Sequence, residues 1–206
     1  MRTSTQTVPE ATIHVARHPR DLEGLVPDPG LGAFFGYAVR APERTLDGIR
    51  RALLHGGRAV LARRGPVVVG YLTLSRPDAD QPWGRVPGLP VREITVEVAR
   101  GWRRRGLARR LFGTLLALPD AEEAILVAAG YRWCWDLEDG HDPEAAGRYR
   151  RHLVRLFEDS GFSLEATNEP NIVMDPHNFL AVRVGSRVPP AQVDRFRATL
   201  FSTRAA

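Results

Sequence analysis

The 206-residue chain contains no lysine, so every one of its 29 Lys/Arg positions is an arginine. It has one cysteine, Cys134. A single cysteine excludes an internal disulfide and a thiolate metal cluster. No apolar run approaches the roughly 18–20 residues that a membrane-spanning helix requires. The first ten residues are polar and lack the apolar core of a secretory leader. A cytoplasmic location, with no membrane partner, is therefore expected. No internal repeat, low-complexity tract or linker interrupts the sequence, and its length suits one ordinary domain.

What is present is a soluble composition, 43% hydrophobic and 26% charged, with a net charge of +5 and a pI near 10.2. Such a charge permits a polyanionic partner: nucleic acid, an acidic membrane surface or a phosphorylated cofactor. The densest basic patch, Arg103, Arg104, Arg105, Arg109 and Arg110, is compact. That suits one phosphorylated ligand better than a length of duplex. A helix-turn-helix pattern and the aromatic–basic interleaving of an RNA-binding sheet are both missing, so nucleic acid is not the expected partner. His14 and His18 are four apart, but in a strand-then-loop pattern with no supporting carboxylates, and no metal site is expected.

Apolar periodicity predicts a strand at 11–16, a helix at 44–54 and a hairpin of 58–63 with 66–75 about the turn Arg64-Gly65-Pro66. Residues 76–90 are rich in Pro, Asp and Gly and read as a loop. Residues 91–99 alternate as a clean strand, and 106–118 switch to helical spacing. The stretch 121–129 fits either a helix end or a strand; 131–137, rich in aromatics, reads as a strand with Trp133 and Trp135 on one face. A helix begins at Pro143 after an Asp142 cap, runs to about 160 and is closed by Gly161. A strand pair, 163–167 with 179–184, and a helix at 189–201 complete the pattern. Strands and helices mixed with hairpins imply an α/β or α+β class. The expected organisation is one domain, 10–187, followed by a C-terminal helix and tail, 188–206.

Chemistry concentrates where the 91–99 strand runs through Arg100-Gly101-Trp102 into Arg103-Arg104-Arg105-Gly106-Leu107-Ala108 and a helix. N–H groups at a helix start lack intrahelical partners, and the macrodipole there favours an anion. Gly106 and the small Ala108 let a ligand approach the backbone, and arginines add charge-assisted hydrogen bonds. Together they form a pyrophosphate site.

Arg103-x-x-Gly106-x-Ala108 resembles the (Gln/Arg)-x-x-Gly-x-(Gly/Ala) signature of the GNAT N-acetyltransferases, and Leu156-Phe157-Glu158-x-x-Gly161-Phe162 is similar to their second signature. The resemblance implies a mixed central sheet of about six to seven strands with flanking helices, and acetyl-CoA as co-substrate. In that family the central strand splays from its neighbour and pantetheine lies in the gap. Val98 and Ala99 would then contact the coenzyme, and Arg103 through Arg109, with Arg104, Arg105, Gly106, Leu107 and Ala108 between, would hold its pyrophosphate. Much of 30–187 also resembles the acetoin-utilization branch of the family. The marks are residues 30–34, Gly70-Tyr71, Trp83, Trp133-x-Trp135-Asp136-Leu137, Tyr149-Arg150, Glu169-Pro170-Asn171-Ile172 and Pro176-His177-Asn178. That resemblance implies a protein lysine acetyltransferase acting on the AMP-forming acetyl-CoA synthetase. The missing lysine then has two readings: codon bias in a GC-rich genome, or avoidance of self-acetylation.

Acetyl transfer needs an amine freed of its proton, a donor for the tetrahedral oxyanion and relief for the leaving thiolate. Backbone N–H at Val98–Ala99 is the expected oxyanion donor. Glu97 is the first candidate base and Glu93 the second. Where many relatives carry a tyrosine as general acid, this chain has Phe157, which cannot donate; Tyr149 is the alternative acid. Cys134 reads as a buried thiol. Trp133 and Trp135 read as core packing or as the wall of an acceptor channel. Other readings stay open: a small amine as acceptor, received by Asp136, Glu138, Asp139 and Asp142, or a non-catalytic acyl-CoA sensor. The C-terminal helix would pack on its own domain or on a second copy in a homodimer.

Overall fold

The computed structural model of the chain describes residues 10–33, 40–137 and 142–201. Phe34 in the 30–34 stretch, Glu138 and Asp139, and the tail 202–206 lie outside the described residues.

The first strand, β1 (Thr12–Ala16), is followed by the two-residue β2 (Val26–Pro27) and the helix α1 (Glu43–Leu54). The hairpin β3 (Arg58–Arg64) and β4 (Val67–Ser75) turns at Gly65, whose φ of 58° lies in the left-handed region. Next come β5 (Val91–Val98), α2 (Leu107–Leu116), the short α3 (Pro119–Glu122) and β6 (Ile125–Gly130). The remaining elements are α4 (Pro143–Glu158), β7 (Ser163–Glu165), the short α5 (Pro170–Val173), β8 (Phe179–Val184) and α6 (Pro190–Thr199). The sheet order is β1-β3-β4-β5-β6-β8-β7, with β2 pairing parallel to the start of β4. Eight strands thus stand where about six to seven were expected, the extra one being the two-residue β2.

Helical periodicity decides what each helix buries. In α1, Ile49, Ala52 and Leu53 face β3 and β4; in α2, Leu107, Leu111, Phe112 and Leu115 face β1 and β3–β5. A second core joins Trp83, Val91, Ile125 and Leu180 to Phe196 and Leu200. The last helix therefore closes its own domain. Among the described residues no helix is long and apolar enough to cross a membrane.

Two stretches depart from the expected pattern. Residues 121–129 divide into α3 and β6. The predicted strand at 131–137 is instead a 3₁₀ turn, Arg132–Cys134. Its cause is a contact from a distant segment: the Asn178 Oδ1 accepts the Arg132 N–H at 2.7 Å and draws the chain out of the ladder. The two tryptophans consequently do not share a face. Trp133 stacks on Tyr131 at 4.6 Å, and Trp135 stacks on Tyr149 at 5.4 Å.

Candidate active site

The pairing of β5 with its two neighbours is unequal. Against β4 it is antiparallel from Glu93 to Val98. Against β6 it is parallel and stops after Val91↔Ile125, Arg92↔Leu126 and Glu93↔Val127. Beyond Glu93 the two strands part. The Ala99 N–H donates to Val69 O at 2.9 Å, which fixes the alternation along the β4 edge: Glu97, Thr95 and Glu93 turn their backbone groups toward β4, and Val96 and Val98 turn theirs into the gap. The expected oxyanion donors are corrected accordingly. The Ala99 N–H is spent on Val69, and the gap offers Val96 and Val98.

At the open end of this gap the chain reverses into α2. Arg104 (φ 61°) and Gly106 (φ 73°) both take left-handed conformations, which turn successive N–H groups to one side. The N–H groups of Gly106, Leu107, Ala108 and Arg109 have no partner among the described residues. Trp102, 9% exposed, anchors the loop in the core. A cavity of about 250 Å³ lies here, lined by Val98, Arg103, Arg104 and the start of α2 on one side and by His152, Arg155 and Leu156 of α4 on the other. Those α4 residues fall at i, i+3 and i+4, one face of a helix, so their grouping is legible in spacing, although nothing in the sequence joins them to the Arg103–Ala108 motif. Not every expected phosphate arginine faces the cavity. Arg105 stacks over the Trp102 ring at 4.9 Å, and Arg109 lines the cavity but also pairs with Asp159 at 2.9 Å.

On the face of the sheet that carries Tyr71, Thr73, Glu93 and Thr95 lies a second cavity, of about 1440 Å³. Its walls are α1, the 76–81 loop, Tyr131, Trp133, Cys134 and Met174. Trp133 belongs to this wall; Trp135 does not. Glu93 lines the cavity, and its carboxylate accepts no hydrogen bond from the described residues. Burial, reinforced by Asp78 and Asp80, pushes it up to about 7. Glu97 behaves differently. Its carboxylate is buried, accepts the Ala33 N–H at 2.9 Å and the Tyr71 hydroxyl at 3.2 Å, and does not line the cavity. Burial raises its pKa against the pull of those hydrogen bonds. Of the two candidate bases only Glu93 lines the cavity, and Glu97 ties the 32–33 segment to the sheet. Cys134 faces the same cavity, its thiol pushed up to about 12 by burial and by Glu97.

Tyr149 lines neither cavity. Its ring stacks on Trp135, and burial raises its pKa against the pull of Arg103 and of a hydrogen bond with the Asp136 backbone. Phe157 is buried edge-on against Phe112, Phe162 and Phe179. Asp136 is no acceptor group either. Arg40, Arg100 and Arg103 all pair with its carboxylate, and although burial opposes its charge, the Arg100 and Arg40 guanidiniums hold it down at about 2. Asp142 caps α4 by accepting the Glu144 N–H at 2.8 Å.

A model of the acetyltransferase (GNAT) family matches residues 33–162. The acetoin utilization protein AcuA of Bacillus subtilis (strain 168) is 28% identical over 188 residues, 90% of this chain and 86% of that protein. The crystal structure of an acetoin utilization protein from Exiguobacterium sibiricum superposes with a TM-score of 0.81 at 24% identity, covering 94% of this chain and 96% of that one. The structure of yncA from Salmonella typhimurium, which contains its cofactor acetyl-CoA, has a TM-score of 0.52 at 16% identity and covers 84% and 92%.

Proposed function

This chain belongs to the GNAT acetyltransferase family, and we propose that it moves the acetyl group of acetyl-CoA onto a lysine of a protein substrate, the AMP-forming acetyl-CoA synthetase being the first candidate. The observation that carries the reading is a pair of cavities along one parted strand, the phosphate cavity at Val98 and the large cavity at Glu93 and Thr95. Phosphates at the bare N–H groups of 106–109 place the pantetheine arm along the free edge of β5. The arm enters at Val98 and runs inward, so that the Val96 N–H, about 10 Å of strand from Glu93, meets the thioester carbonyl.

The acceptor amine arrives from the large cavity. A lysine of pKa ~10.4 is protonated at neutral pH, and Glu93, near 7, is poised to take that proton through intervening water. The neutral amine nitrogen then bonds to the acetyl carbon, the C–S bond breaks, coenzyme A leaves as its thiolate and the second nitrogen proton passes to solvent. Phe157 offers that thiolate no proton. Asp78 and Asp80 beside Glu93 attract the cationic acceptor to that part of the cavity, whose lining also includes Arg44, Arg51 and Arg76. The size of the cavity, together with exposed Met174 in its lining, suits a lysine presented on a protein surface. The acidic part equally favours a small polycationic amine, which is the second reading.

The test is to incubate the chain with acetyl-CoA and purified acetyl-CoA synthetase and to map acetyl-lysine by mass spectrometry. One modified active-site lysine, with loss of synthetase activity, is the expected result. An unmodified synthetase alongside rapid acetylation of a polyamine would transfer the assignment to the second reading.

A further inference from the structure

Asp136 lies outside the coenzyme signature, yet three arginines from two distant segments meet on its carboxylate. Arg100 donates through Nε at 3.2 Å and Nη2 at 2.7 Å, Arg40 donates through Nη2, and Arg103 forms an ion pair with Nη2 at 2.7 Å from Oδ2. The Asp136 side chain is only 7% exposed. Each arginine is also held elsewhere. Arg103 Nε donates to Val98 O at 3.1 Å, at the last residue of β5. Arg40 Nη1 donates to Gly30 O, and the Arg100 N–H donates to the same carbonyl at 3.2 Å.

Three guanidiniums against one carboxylate leave a net charge of about +2 at the mouth of the β5–β6 gap. Arg103 is at once part of this cluster and a wall of the phosphate cavity. Left alone, three like charges repel and each long side chain spreads over its rotamers, which a ligand must then order at an entropic cost. A buried anion removes both penalties in advance while neutralising only a third of the charge. Asp136 also follows Trp133 and Cys134 in the chain, so it ties the acceptor wall to the coenzyme loop.

We infer that Asp136 is a positioning residue for the coenzyme: it gathers Arg100 and Arg103 at the end of β5 so that Arg103, which lines the phosphate cavity, meets the phosphates of acetyl-CoA already ordered, with Arg100 adding positive charge beside it. This rests on the acetyl-CoA reading above. It places part of the coenzyme affinity in a residue of the 131–137 turn, 28 positions beyond the end of the signature loop at Ala108.

The test is a binding cycle on the full chain with coenzyme A as the probe, read by calorimetry. Asp136→Asn weakens binding by about tenfold, the scale of one coupled charged contact. The Arg100→Ala, Arg103→Ala double variant loses at least as much, and adding Asp136→Asn to it costs nothing further. The same cycle run with Asp136→Glu, which keeps the charge and shifts it by one methylene, gives a smaller loss with the same dependence on the two arginines, and it stands in if the Asn variant does not fold. Wild-type affinity in Asp136→Asn overturns the inference, and so does an equal loss in the arginine-free background, which would mark Asp136 as structural only. Failure of the wild-type chain itself to bind coenzyme A overturns the coenzyme reading and this inference with it.

Discussion

Glu93 and Val127 form the last rung that β5 and β6 share, and the carboxylate of Glu93 faces the large cavity where the two strands begin to part. One residue thus marks the inner end of the coenzyme gap and the floor of the acceptor space.

Glu93→Gln keeps the size of the side chain and removes its basicity. Loss of a positioned general base typically costs about 10²–10⁴-fold, and a fall in kcat of at least about 10²-fold at neutral pH is expected, with coenzyme affinity unchanged. The wild-type rate rises with pH through about 7 as Glu93 loses its proton, and the variant lacks that rise. Steady-state rates from pH 5.5 to 9 check both. A variant that retains the inflection places the base elsewhere.

The same carboxyl affects stability, with a definite sign. Its folded pKa, about 7, lies above the ordinary value of 4.5. Between those values the folded chain holds a proton that the unfolded chain releases, so stability falls as pH rises through the window. Glu93→Gln abolishes this fall. Above pH 7 the variant is the more stable by roughly 1–3 kcal/mol, the upper end being the full shift at 1.36 kcal/mol per unit. Denaturant unfolding at pH 5 and pH 8 measures the difference.

Gly106 has φ of 73°, and a Cβ there would meet no atom within 4 Å. The fold tolerates a side chain at this position at the expense of backbone strain, about 1–2 kcal/mol for an L-residue in that region. Gly106→Trp therefore melts a few degrees lower while its ring covers the bare N–H groups of α2. Coenzyme binding weakens by at least about tenfold, as read by calorimetry.

Trp133 and Trp135 separate by role. Trp133→Ala opens the acceptor wall and raises KM for the acceptor about tenfold, leaving coenzyme affinity intact. Trp135 packs against Tyr149 and the main core, and Trp135→Ala instead costs about 3 kcal/mol of stability. Thermal melts beside steady-state KM values separate the two effects.

Much of this was legible in the residues. The alternation of 91–99, the glycine and small residues after three arginines, and the helix capped by Asp142 and closed by Gly161 all act within a few positions, where periodicity and backbone preference decide the outcome. What was hidden depends on contacts between distant segments. Asn178 turns the Tyr131–Trp135 stretch out of the sheet from 46 residues away. Glu97 and Glu93 are equivalent in strand period, and only the Ala33 N–H and the Tyr71 hydroxyl, brought in by other elements, distinguish the tied carboxylate from the free one. The convergence of three arginines on Asp136 has no local signal.

The most direct measurement is amide hydrogen exchange with and without coenzyme A. The account expects protection to rise at Val96 and Val98 and at Gly106 to Arg109, with Ala99, already bonded to Val69, unchanged. Protection confined to other surfaces, with the β5 edge exchanging as freely as before, would contradict a coenzyme lying in the gap between β5 and β6.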